Sequence, residues 1–209
     1  MFQDLGGIQL LFVLIAMLIG MSVHEAMHAF TGHWLGDDTA AEEGRLTLNP
    51  LKHIDIFTTV LLPVAMIALG LPPIFAAKPV PFNPLRIRYE EFGAALVGIA
   101  GPLTNLALAC VGGLIFRLDI ITTNGWSDFV VIFTLVNVAL FVFNMIPFPP
   151  LDGSRLLYAF APEPLQRVMR TIEGFGLGAI FLLIFVFWQY IGPVVLELNE
   201  KILLFILGR

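Results

Sequence analysis

The chain has 209 residues, 58% of them hydrophobic and 13% charged, with a mean hydropathy of +0.89; this balance excludes a soluble globular domain and marks a membrane protein. The net charge of -5 comes from 16 acidic and 11 basic residues scattered through the connections, so no basic run points to nucleic acid and no block of like charge to a disordered tail. The single cysteine, Cys110, lies inside an apolar stretch and reads as a small buried hydrophobe.

Five uncharged stretches follow one another at 5–23, 56–77, 92–116, 129–151 and 174–196. Each approaches or exceeds the roughly 20 residues that a helix needs to cross a hydrocarbon core of about 30 Å. The first lacks a basic leader and a small-residue cleavage site, so it reads as a retained helix rather than a signal peptide. Residues 37–50 form a polar loop. In 78–88, Pro79, Pro81 and Pro84 exclude a helix interior and favour an extended strand or loop. After Pro193, the segment 194–207 carries Glu197, Asn199, Glu200 and Lys201 among aliphatics, the pattern of an amphipathic interfacial helix, with a further span as the alternative.

The first stretch runs into His24-Glu25-Ala26-Met27-His28. On a helix, residues four apart are offset by about 40° and about 6 Å, so both imidazoles can hold one zinc while Glu25 is angled toward a water at the metal. Placing an ionisable group at mid-membrane costs roughly 2.5 to 3.5 kcal/mol, and zinc binding, on the order of 10 kcal/mol in favourable peptides, can offset it. The plainer alternative is a proton or ion path without metal. A catalytic zinc needs a third protein ligand. Six residues beyond His28 stands Trp34, and His33 lies about 140° round the helix, so neither completes the set. Asp152 is the better candidate, because it follows more than twenty uncharged residues and Pro147, Pro149 and Pro150 break the helix just before it.

His24-Glu25-x-x-His28 followed by Asn144-x-x-Pro147-x-x-x-Leu151-Asp152-Gly153 resembles the site-2 protease family of intramembrane zinc metalloproteases. Gly101-Pro102-Leu103-Thr104-Asn105, the 44–50 segment and Lys78-Pro79-Val80-Pro81 resemble further elements of its compact bacterial members, so the likeness covers roughly 20–160. The resemblance implies that His24, His28 and Asp152 hold one zinc ion per chain, that Glu25 is the general base, and that Asn144 binds substrate or stabilises the oxyanion. The implied substrate is a transmembrane protein. No PDZ-like or CBS-like domain is expected beside this core. Asn105 reads as packing or satisfying a broken helix, and His53 as an interfacial hydrogen bonder.

If His24 and Asp152 meet at one metal, their two helices must run parallel. A full span at 56–77 gives the wrong parity and a re-entrant element the right one; Pro63, Gly70, Pro72 and Pro73 favour a bend at membrane depth, with a kinked spanning helix as the alternative. With the re-entrant element, Arg45, Lys52, Lys78, Arg86, Arg88, Arg155, Arg167 and Arg170 fall on one side and Arg117 on the other; with a full span the same residues divide six to three. The positive-inside rule then puts the N-terminus outside and the active site nearer the cytoplasm of a cell-membrane protein. In an extended 78–88, Val80 and Phe82 would keep donors on one edge that an unwound substrate could join by strand addition.

The expected fold is therefore an all-α polytopic membrane protein. It is a bundle with helices near 5–33, 92–117, 128–146 and 174–191, a re-entrant element and a short extended or β segment. It forms a single domain over 1–209, with a catalytic core at about 5–160 and C-terminal helices at about 174–209. The expected activity is hydrolysis of transmembrane substrates in the lipid bilayer. The alternatives are a metal or proton transporter using the same residues, and a scaffold that grips membrane helices without cutting them. Nothing in the sequence sets the oligomeric state.

Overall fold

The computed structural model describes residues 6–61 and 78–208. Its long helices are α1 (Gly7–Trp34), α3 (Glu90–Arg117), α4 (Asn124–Asn144) and α7 (Leu177–Leu207). All four are long and apolar enough to cross a membrane, α4 over Gly125–Asn144. Between them lie the short α2 (Thr39–Glu42), α5 (Gly153–Phe160) and α6 (Glu163–Gly174). Among the described residues there is no strand.

Helix α3 is the centre of the bundle: 44% of its apolar window is buried, against 17 to 28% for the other three. Small residues allow this. Gly112 faces Thr134 of α4 and Gly113 faces Ile206 of α7, both closer than a Cβ could tolerate. Pro102, inside α3, is fully buried. The core joins Ala109 of α3, Val138 and Val142 of α4, and Val195 and Ile206 of α7. Leu11, Leu14, Leu18, Leu103, Leu114 and Phe185 remain exposed, as expected of side chains that face lipid tails rather than water.

The pairings set the helix directions. Gly20 and His28 of α1 meet Asn105 and Val97 of α3, so these helices run antiparallel. Asn105 and Gly112 of α3 meet Asn137 and Thr134 of α4, again antiparallel, so α1 and α4 are parallel. The connection between α1 and α3 therefore starts and ends on one side of the bundle. Its ends are joined there, Arg88 N–H donating to Leu35 C=O at 2.9 Å and Lys78 N–H to His53 C=O at 2.9 Å. Of the 56–77 stretch, Ile56–Leu61 forms a π-helical turn; the expected re-entrant element falls mostly on 62–77, outside the described residues.

Two expectations are corrected and a third is narrowed. Segment 194–207 is not a separate interfacial helix: Trp188–Leu207 is one helix with Pro193 inside it, continuing from Leu177 through a π turn at Leu183–Phe187. Val195 and Ile206 bury into the core, which holds the helix together across the proline. Cys110 is exposed, not buried, because it lies on the outward face of α3. Segment 78–83 carries no regular secondary structure, and turns follow it to residue 88; it is the loop form of the expected strand or loop.

Candidate metal centre and catalytic cavity

His24 and His28 stand one turn apart on the buried face of α1, with ring planes 86° apart. His24 Nε2 lies 3.0 Å from Asp152 Oδ2, His28 Nε2 lies 3.0 Å from His24 Nε2, and His28 Nε2 lies 3.4 Å from Asp152 Oδ2. Asp152 immediately precedes α5, just after the proline-rich turn that ends α4, and its side chain makes no capping bond to the helix. Thus two residues of one helix and one residue far downstream present three ligand atoms to a common point.

The outer nitrogens of the two rings fix their tautomers. His28 Nδ1 is 2.7 Å from the Val97 carbonyl, which can only accept. His24 Nδ1 is 2.6 Å from Asn105 Oδ1, and the Asn105 amide nitrogen donates to the Gly20 carbonyl at 3.1 Å and to Asn137 Oδ1 at 3.0 Å. With Gly20 an obligate acceptor, the Asn105 oxygen is the atom that faces His24. Both rings therefore donate from Nδ1 and turn Nε2 lone pairs inward. Two neutral imidazole lone pairs and a carboxylate oxygen within 3.4 Å of one another need a cation between them, a metal ion or a proton. Ligands about 2.0 to 2.1 Å from a tetrahedral zinc stand about 3.3 Å from one another, so the donor set and its spacing fit zinc.

Gly101 makes room for this arrangement. A Cβ there would sit 2.5 Å from His28 Nε2 and 2.7 Å from His24 Nε2. The glycine at the start of the Gly101–Asn105 motif lets α3 approach the two rings, and the asparagine one turn later holds one of them.

A cavity of about 600 Å³ opens at these three residues, lined also by Glu25, Val80, Phe82, Asn144, Arg155 and Glu173. Every sequence-predicted site residue is thus brought to one cavity. Asn144 donates its amide to the Leu140 carbonyl at 3.0 Å. Phe82 packs against Leu35, Ile87 and Val97, with the Arg155 guanidinium 5.1 Å from its ring centre. Val80 differs from expectation: its N–H is not held out on a free edge but donates to Glu25 Oε2 at 3.1 Å.

Further residues matter that the sequence reading left out or understated. Asn105, read as a packing residue, touches His24 directly, and Asn137 supports it. Arg155 pairs with Glu173 across the cavity wall. Asp37, in the loop after α1, accepts from Asn83 N–H at 2.6 Å and from the Thr39 hydroxyl and N–H, so it holds the far end of the 78–83 segment. Burial works against its ionisation, but the Thr39 and Asn83 donors and the Arg86 charge prevail and hold its carboxyl below the ordinary value. His33 pairs with Asp38 at 2.6 Å, and His53 with the Thr47 carbonyl at 2.8 Å, as hydrogen bonders away from the metal group.

The profile of Peptidase family M50 matches residues 111–187. The chain is 34% identical over 183 residues to YwhC of Bacillus subtilis, covering 84% of this chain and 80% of that protein. It is 32% identical over 177 residues to Rip2 of Mycobacterium tuberculosis, covering 82% of this chain and 65% of that protein. Both relatives carry the name zinc metalloprotease. No solved structure matches the chain significantly. The helical membrane architecture, the zinc-fitting donor set and these relatives agree: the chain belongs to peptidase family M50, the site-2 protease family of zinc metalloproteases.

Proposed function

We propose that this protease cuts transmembrane protein substrates within the membrane, using one zinc ion held by His24, His28 and Asp152 and Glu25 as its general base. The observation that carries the reading is the convergence of those three ligand atoms in a cavity that also presents the Glu25 carboxylate, on helices long enough to span a bilayer. Family membership does not favour the transporter alternative.

When bound, zinc would supply Lewis acidity, acidifying water and polarising the scissile carbonyl. The rest falls to the chain. Glu25 takes a proton from the attacking water and returns it to the leaving amine. Asn144 has a second amide hydrogen beyond the one engaged by Leu140, and this can reach a substrate carbonyl or the developing oxyanion. Val80 and Phe82 line the approach, where an unwound substrate needs new backbone partners because unpaired groups are costly out of water.

His24 lies about 25 Å along α1 from Gly7 and about 15 Å from Trp34. The site is therefore nearer the side that carries the α1–α3 connection. That side holds most of the arginines and lysines, so we assign it to the cytoplasm of a cell-membrane protein, with the N-terminus outside.

Glu25→Gln is the central test. It should bind zinc in wild-type amount yet cleave at least a hundredfold more slowly, because an amide hydrogen-bonds but takes no proton. His24→Ala, His28→Ala and Asp152→Ala should each lose zinc; full zinc occupancy in Asp152→Ala removes that residue from the ligand set.

A further inference from the structure

Arg45 is an arginine with 4% exposure in a loop rather than a helix. Gly44, with φ of +66°, turns the chain into it. Its guanidinium donates to the Lys52 carbonyl from one nitrogen, and to the Lys78 carbonyl at 2.6 Å and the Pro79 carbonyl at 3.2 Å from the other. One side chain thus clips together the two ends of the excursion between His53 and Lys78, reinforcing the Lys78 N–H bond to His53. The next residue along is Val80, whose N–H reaches Glu25 Oε2 at 3.1 Å.

Arginine suits this task because its planar fork presents donors in fixed directions and stays charged when buried. Three carbonyl contacts on one guanidinium fix the position and plane of the peptides on either side of Pro79. The second of these, the Pro79–Val80 peptide, carries at its other end the Val80 N–H that holds one oxygen of Glu25. Glu25 has no other hydrogen-bond partner among the described residues. The orientation of this carboxylate therefore depends on a clip two links away, formed by a residue that touches neither metal ligands nor cavity.

We infer that Arg45 is a positioning residue for the general base, acting through the Lys78 and Pro79 carbonyls and the Val80 N–H. This rests on the reading of Glu25 as base.

A double-mutant cycle tests it, using full-length protein in detergent and a Leu/Ala-rich transmembrane peptide with central Gly and Asn residues, bearing a fluorophore and quencher. Arg45→Gln and Val80→Pro should each retain zinc and lower kcat by about tenfold or more, and in Arg45→Gln, which lies outside the cavity, KM should stay within about twofold of wild type. Because both act through the Val80 N–H, the double variant should fall no more than about threefold below the weaker single. Losses that multiply, or a loss in Arg45→Gln that lies mainly in KM, overturn the proposal. Hydrogen exchange supplies a readout without substrate: the Val80 amide should exchange at least tenfold faster in zinc-loaded Arg45→Gln, and wild-type protection there also overturns it. If Arg45→Gln does not accumulate folded, Arg45→Lys replaces it, since an ammonium cannot reach both ends of the clip and should give the same pattern at smaller amplitude. Glu25→Gln is measured alongside. Turnover in that variant removes the base reading and the positioning role with it, whereas an inactive Glu25→Gln with a multiplicative cycle removes only the role of Arg45.

Discussion

Asn105 decides more at the residue scale than its short polar side chain suggests. It is completely buried, and its carboxamide is used in full: oxygen to His24, nitrogen to Gly20 and Asn137. Such an outer partner fixes both ring tautomer and ring direction, and its removal typically costs 10- to 100-fold in metal affinity. Asn105→Ala should therefore keep the helical fold and weaken zinc binding by about that factor, read by competition with a chelator. Unchanged zinc affinity would assign Asn105 to helix packing alone. The His24-Glu25-x-x-His28 pattern was legible in the sequence because its geometry is local to one helical turn. The Asn105 contact was not, because its partner is 81 residues away and a Gly-x-x-x-Asn pattern is equally consistent with close helix packing. Arg45 was hidden for a related reason: in sequence it is one more positive charge in a polar loop.

At the scale of elements, the four long helices were legible because apolar runs of this length have few other stable solutions in a bilayer. The ends were harder. Pro193 looks like a stop, yet Val195, Ile206 and Trp188 pack on the α4 and α3 core and carry the helix past it, an instance of tertiary contacts overriding a local breaker. The 78–83 segment was read correctly as non-helical, but which groups would hold it was not readable, since its partners Glu25, Asp37 and Arg45 come from three separate places. Asp37 gives this segment a pH dependence. Its folded carboxyl titrates below the ordinary value of 3.8. Its contribution is therefore fully present above about pH 4 and is lost as the pH falls through the lower folded value. Wild type should lose protection of the Asn83 amide only below pH 4, and Asp37→Asn should lack that protection at neutral pH. Equal protection in both proteins at neutral pH would show that Asp37 does not hold the segment.

At the scale of the molecule, the chain solves a depth problem. His24 lies two thirds of the way along α1 and Asp152 lies beyond the end of α4, so the two meet only because α1 and α4 run parallel with α3 antiparallel between them. Helix α7 then returns: Leu177 and Ile180 line the cavity, and its other end reaches α3, where Ile206 packs on Gly113 and Arg117 donates to the Phe205 carbonyl. The described ends of the α1–α3 connection, 35–61 and 78–89, and the connection 145–176 consequently share one side, and 118–123 lies on the other. The first side carries Arg45, Lys52, Lys78, Arg86, Arg88, Arg155, Arg167 and Arg170, an excess large enough to orient a protein of this size. In a Cys110→Ser background, cysteines replacing Glu43, Leu85 and Leu165 should react with an impermeant thiol reagent only from the cytoplasmic side, and one replacing Thr122 only from outside. The four sites are exposed, so labelling reports sidedness rather than burial. Opposite reactivity at Glu43 and Leu85 would contradict the shared side of the α1–α3 connection and with it the parallel pairing that brings His24 to Asp152. Inverted labelling at all four would leave the bundle intact and reverse the proposed orientation, placing the catalytic cavity nearer the outer face.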